Sequence, residues 1–305
     1  MLQQQIIGFI RLSLPIILFF YIFPELLTNF FVQLIVSVCM GIYIWYLSYV
    51  QTAALENGLL YTPSGEHREM FRSYITLCNV DPSKIIIKYA YTAQQIAMAI
   101  GKTIVIDSTT CSICSGDANV TPIINIFHQL YESKLNDLGK KRQVWQSQNL
   151  TPGIQSFIFK HELGHVIDHY SYKKLWVIFL TGALTVFAGI TVVNMILFFT
   201  NPLLAILIGL IVGMFIDIVL TLFFNLVFKT AAEKRADKFA AKYSTAEEII
   251  QAAHFFAQEQ DIIEMYKDPN NWFLKLPTTI YSGHPQGKDR KEYLLKLAKN
   301  KPTTT

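Results

Sequence analysis

Two long apolar blocks, Ile6–Val50 and Leu175–Phe228, punctuate a chain whose other segments mix polar and apolar positions. A hydrocarbon core of about 30 Å takes about 20 helical residues to cross. Leu175–Phe199 and Pro202–Phe228 reach that length, joined by a tight turn at Asn201-Pro202, and so does Phe30–Val50. Ile6–Phe23 contains Arg11 and Pro15, a snorkelling cation and a kink that a span tolerates. It lacks the basic start and small-residue cleavage site of a signal peptide. The pattern therefore predicts four spans in two hairpins. Lys and Arg are missing from the short turns Pro24–Asn29 and Thr200–Pro202 and, Arg11 apart, lie in Gln51–Lys174 and Lys229–Thr305. Basic residues stay on the cytosolic side, which places both regions and both termini there.

Outside the apolar blocks, Lys84–Tyr91 and Thr103–Asp107 read as strands bounded by turn-type residues. Thr92–Ile100 is a short helix or an irregular strand, Asn119–Leu135 a helix, and Leu135–Gln148 a polar loop. Thr151-Pro152 supplies an N-cap and a first-turn proline for a firmer helix. Lys229–Tyr243 continues helically from the last span, Ser244 and Glu247 fit a capping box, and Gln286–Asn300 forms a last helix. The expected fold is mainly α with a small β-sheet (α+β). It divides into an N-terminal hairpin at 1–50, an extramembrane part at 51–174, a second hairpin at 175–228, a second extramembrane part at 229–300 and a disordered tail at 301–305.

Composition narrows the class. Of 305 residues 52% are hydrophobic and 16% charged, against about 25% charged in a typical soluble domain. That excludes a disordered chain and an ordinary cytosolic globule. Four cysteines are too few for a disulfide scaffold, and the isolated Cys111-Ser112-Ile113-Cys114 reads as a structural loop. A net charge of +4 with no basic block beyond Lys140-Lys141-Arg142 gives no reason to invoke nucleic acid. The oligomeric state is not encoded in the pattern.

The chemistry concentrates at His161-Glu162-Leu163-Gly164-His165, an HExxH motif on the capped helix. Residues four apart share a helical face, so both imidazoles can hold one Zn²⁺ while Glu162 reaches a water at the ion. A bare pair of surface histidines is the bland alternative. A catalytic zinc needs a third protein ligand. Asp168 and His169 follow closely, but an unbroken helix carries them away from the ion, and no glycine closely follows His165 to break it. Glu233 and Asp237, again four apart, follow the last span. Glu233 could ligate the metal while Asp237 accepts from a ligand imidazole; a salt-bridged turn with Lys234 and Arg235 is the alternative.

Together these motifs resemble the HtpX-like membrane zinc metallopeptidases, relatives of the CAAX prenyl proteases. That family carries HExxH, then transmembrane helices, then E-aromatic-x-A-D, then a His-Pro segment followed by Arg. The corresponding residues are His161–His165, Glu233–Asp237, and His284-Pro285 with Arg290. An edge-strand motif of the family survives in altered form as Ile96–Gly101. Lys234 replaces the usual aromatic, Ile96 replaces an Asn, and a single Pro follows His284. The resemblance implies one Zn²⁺ held by His161, His165 and Glu233, Glu162 as general base and acid, and a zincin-like cytosolic catalytic domain. It also implies that His284, with Tyr281 as a second candidate, contacts substrate or the developing oxyanion. It further implies peptide-bond hydrolysis of membrane proteins in quality control, in a bacterial inner (cytoplasmic) membrane.

An edge strand with Ala97, Ala99 and Gly101 could pair with an extended substrate or simply end the sheet. Run on unbroken at 1.5 Å per residue, the helices put His165 about 15 Å and Glu233 about 8 Å from the span ends. Membrane proteins are then natural substrates and the bilayer a partner. Asp217, Thr221, Asn225, Lys229, Glu233 and Asp237 follow at steps of four, a slowly rotating polar stripe. Asp217 marks either a hydrated intramembrane cleft or a paired acid within the bundle. Two other functions compete with the peptidase. A prenyl-protein protease is disfavoured by span count, about seven in those relatives. A non-catalytic sensor or scaffold has no need of Glu162.

Overall fold

A computed structural model of the chain describes residues 29–57, 63, 65–90, 96–107, 137–197, 200–265 and 287–301. The predicted first span at 6–23, the helix expected over 119–135, Cys111, Cys114, Tyr281 and His284 lie outside the described residues. What is described is mainly helical with one small sheet. In chain order the elements are helices α1 (Phe30–Asn57) and α2 (Gly65–Leu77) and strands β1 (Ile86–Ala90), β2 (Ala97–Ile100) and β3 (Thr103–Asp107). Then come helices α3 (Asp137–Asn149), α4 (Pro152–Ile167), α5 (Tyr170–Leu197), α6 (Pro202–Phe224), α7 (Thr230–Lys242), α8 (Ala246–Met265) and α9 (Gly287–Lys299). Two compact units result, Met1–Gln51 with Lys173–Phe224, and Thr52–Tyr172 with Asn225–Thr305.

The first unit is apolar. Among the described residues three helical runs are long and apolar enough to cross a membrane, Phe30–Val50, Tyr170–Leu197 and Leu204–Lys242. Lipid is as apolar as leucine, so such helices associate through close packing at small residues. A methyl on Gly41 would lie 3.0 Å from the Ala183 Cβ, and one on Gly209 would lie 2.9 Å from the Gly189 carbonyl oxygen. Asp217 on α6 interacts with the buried Thr185 on α5. A π-turn at Asn225–Lys229 interrupts the α-helical register, so the four-residue stripe from Asp217 to Asp237 does not continue in phase.

The second unit is built around α4. Its sheet has the order β1-β3-β2, with β1 parallel and β2 antiparallel to β3. Ile86 pairs with Thr103 and Ala97 with Ile106. Residues 97–100 are therefore the irregular-strand alternative, not a helix. One side of α4 (Phe159, Leu163, Val166) packs on the sheet and α2 through Ile104, Ile106, Tyr89, Phe71 and Ile75. The other side carries Phe157 against Ala240, Ala241, Ile249, Ala252, Ala253 and Leu294 of α7, α8 and α9. A helix apolar on all sides belongs at the centre of a core.

Three local expectations change. The polar stretch 135–148 is largely helix α3, not a loop. Arg142 reaches Glu259 at 2.9 Å, the Gln146 side-chain amide donates to the same carboxylate, and Trp145 stacks on Phe255. These long-range contacts supply what a polar helix lacks locally. The capping box lies one residue later: Thr245 Oγ1 accepts from the Glu248 N–H at 3.1 Å and Glu248 accepts from the Thr245 N–H at 2.8 Å. Finally, α4 does not run unbroken into α5. It ends at Ile167, and His169 adopts a left-handed φ of 52° before α5 starts at Tyr170. The helical-rise estimate from His165 to the span therefore does not hold, because a histidine performs the break expected only of glycine.

Candidate metal centre

Helix α4 starts where its sequence says. Thr151 caps it, accepting from the Ile154 N–H at 3.4 Å, and Pro152 fills the first turn. Nearly all of Ile154–Val166 is buried, His161 and His165 included. Next to the motif, buried Lys160 is compensated by Glu248 at 3.2 Å and by the Ser244 hydroxyl at 3.3 Å. An uncompensated ammonium there would cost several kcal/mol.

Glu233 arrives from α7, and its approach depends on small residues. A methyl built on Gly164 would stand 3.1 Å from the Ala236 Cα and 3.2 Å from the Phe239 Cβ. The glycine inside HELGH thus lets the α7 backbone lie directly against α4. The convergence follows: His161, His165 and Glu233, all buried, offer ligand atoms within 4.8 Å of one another. Each imidazole Nε2 lies 3.4 Å from a Glu233 oxygen. Direct charged hydrogen bonds would be about 2.7–2.9 Å. Tetrahedral ligands about 2.1 Å from a zinc ion stand about 3.4 Å apart. The spacing therefore fits a shared ion, and three protein donors leave a fourth position for chemistry.

Asp237, one turn beyond Glu233 and fully buried, accepts from His161 Nδ1 at 2.8 Å. That bond commits Nδ1–H to Asp237 and turns Nε2 toward Glu233. Arg290 from α9 donates to both Asp237 oxygens, at 2.7 and 3.0 Å, and its guanidinium sits 3.6 Å over the Phe256 ring. Burial alone would raise Asp237, but Arg290 and His161 hold it below its ordinary value. Burial alone would lower His161, but the charge and hydrogen bond of Asp237, with Glu233, push it up to about 10. Without a cation the ring keeps a proton, and a metal must displace it.

The residues singled out from sequence sort as follows. His161, His165, Glu233 and Asp237 come together, with Glu162 half-buried on the ligand helix. Asp168 does not face the metal group; it accepts from Arg235 at 2.9 Å, tying the end of α4 to α7. Ala97 and Ala99 lie on an edge strand but pack against the core beside α4. Their small size lets α4 pack closely against β2. Gly101 has φ 58° in the two-residue turn between β2 and β3, and its N–H donates to Ser171 Oγ at 3.1 Å. Asp217 belongs to the other unit. One neighbour was missed: the Tyr170 ring lies 4.9 Å from the His165 ring, centroid to centroid. Its only sequence signal is an aromatic five residues after the motif, uninformative until the helix is known to break.

Comparison with known protein families matches residues 146–298, just over half of the chain, to peptidase family M48. No curated protein and no solved structure matches the chain.

Proposed function

Because the chain belongs to peptidase family M48, a zinc-dependent metallopeptidase family, we propose that it is a membrane-embedded zinc endopeptidase of the HtpX-like kind. Its substrates are membrane or membrane-proximal proteins and its biological task is their quality control. The observation that carries this reading is the buried trio His161, His165 and Glu233, at the mutual spacing of ligands around one small cation.

His161, His165 and Glu233 would hold the ion, with Asp237 and Arg290 fixing the His161 ring. Bound zinc supplies a Lewis acid that acidifies water and polarises a carbonyl. Glu162 takes the proton from the attacking water and returns it to the leaving amine. The β2 edge around Ala97, Ala99 and Gly101 offers backbone groups to an extended substrate, and His284 serves as a donor to the reacting carbonyl. Residues 51–174 and 229–300 make up the catalytic domain on the cytosolic side of a bacterial inner membrane. The segments 1–50 and 175–228 anchor it there.

The decisive test is Glu162→Gln in the full-length, detergent-solubilised protein. The variant should keep one zinc per chain by metal analysis and lose at least about 10³-fold in cleavage of an unfolded model protein. Cleavage at the wild-type rate, or wild-type turnover in a preparation shown to be metal-free, would overturn the reading.

A further inference from the structure

We propose that the Tyr170 hydroxyl is a catalytic hydrogen-bond donor to the scissile carbonyl oxygen, delivered to the site by the left-handed turn at His169. The proposal deepens the peptidase reading and rests on it.

The backbone carries the first part of the argument. A residue with a Cβ in the left-handed region costs about 1–2 kcal/mol. Such strain persists where the surroundings over-determine it, and it clusters at functional sites. The joint between α4 and α5 is held in that way. Asp168 is gripped by Arg235 at 2.9 Å, the His169 N–H donates to the Val166 carbonyl at 3.1 Å, and Ser171 Oγ receives the Gly101 N–H at 3.1 Å. Three elements (α7, α4 itself and the β2–β3 turn) thus fix three residues around Tyr170, namely Asp168, His169 and Ser171.

The consequence is the position of Tyr170. On an unbroken helix a residue five beyond His165 would point about 140° away from it. The turn instead lays the Tyr170 ring on the His165 ring at 4.9 Å with a tilt of 38°. The two ligand histidines are therefore supported differently. His161 is oriented by a hydrogen bond from Nδ1 to Asp237. His165 Nδ1 is buried without a hydrogen-bond partner among the described residues, and its aromatic neighbours are His161 and Tyr170.

The charges supply the rest. The hydroxyl of half-buried Tyr170 lies in the fields of the Glu233 and Glu162 carboxylates. An ordinary phenol keeps its proton at neutral pH and serves as a donor. Peptide hydrolysis builds negative charge on the carbonyl oxygen. A preorganised donor aimed at that charge contributes about 10²–10³ in kcat. No proton is transferred from Tyr170: the bond strengthens as the carbonyl becomes an oxyanion and relaxes as the amine departs.

Tyr170→Phe retains the ring on His165 and removes only the donor. In the zinc-loaded full-length protein, its kcat on an unfolded model protein should fall about 100-fold with KM nearly unchanged. Zinc content and melting temperature should match wild type. A phosphinic peptide, which presents a tetrahedral oxyanion, should lose affinity by a similar factor. A thiol peptide with the same side chains, which presents none, should bind both forms equally. Wild-type kcat and wild-type phosphinate affinity in the variant would overturn the proposal and leave Tyr170 as a packing residue. A wild-type protein that neither cleaves nor binds either inhibitor would instead overturn the peptidase reading, and this proposal with it.

Discussion

The two sides of α4 are built from different materials. Toward the sheet it meets large side chains, Phe71, Ile75, Tyr89, Ile104 and Ile106. Toward α7, α8 and α9 it meets mostly alanine, at Ala236, Ala240, Ala241, Ala252 and Ala253. Large residues bury more apolar area, at roughly 25 cal/mol per Å², and so stabilise more. Small residues contribute less area but set the distance between backbones, which is what an ion shared by α4 and α7 requires. The sheet side therefore holds the fold, and the alanine side holds the metal geometry.

The largest effect on stability should come from the sheet side. Ile104 is fully buried, and Ile104→Ala should cost about 2–5 kcal/mol, read by denaturant unfolding. Folded protein at low temperature should still bind zinc with wild-type affinity. Gly164→Val should cost less, about 1–3 kcal/mol through overpacking, yet lower zinc affinity at least tenfold by pushing Glu233 away. A chelator competition measures it. Equal zinc affinity in the two variants would erase the distinction between the sides.

A smaller, pH-dependent effect separates the metal-free from the loaded protein. His161, raised to about 10 in the absence of metal, stabilises the fold fully below its unfolded value. That contribution is lost as pH climbs through the alkaline range toward 10. Asp237, held low, contributes above its unfolded value and loses that contribution as acid protonates it. With chelator present, stability should thus decline on both flanks. With saturating zinc, which needs the neutral imidazole, the alkaline decline should disappear. Thermal unfolding from pH 2 to 11, with and without chelator, makes the comparison, the acid flank lying below about pH 4. The smallest effect should come at the joint: His169→Gly relieves the left-handed backbone, and any gain in stability should stay within about 1 kcal/mol.

Much of the site was legible because its signals are local. His161 and His165 share a face by helical periodicity alone, Thr151-Pro152 marks the helix start, and Glu233 and Asp237 sit one turn apart on α7. Three apolar runs announced themselves by length. Helix α3 was not legible, since its polar sequence is held by Glu259 and Phe255, residues more than a hundred positions away. Nor was the inward packing of Ala97 and Ala99: a small residue on an edge strand looks the same whether a helix or a substrate lies against it.

The sequence by itself determined which atoms can bind an ion and which helices present them, because those relations span four residues and follow from the pitch of a helix. Only the tertiary structure decided that α7 lies close enough to α4 for Glu233 to join the histidines. It alone decided that Arg290 clamps Asp237, and that a histidine turns left-handed to bring Tyr170 back onto His165. Those outcomes depend on packing between segments far apart in the chain, and for His169 on surroundings strong enough to override its own backbone preference.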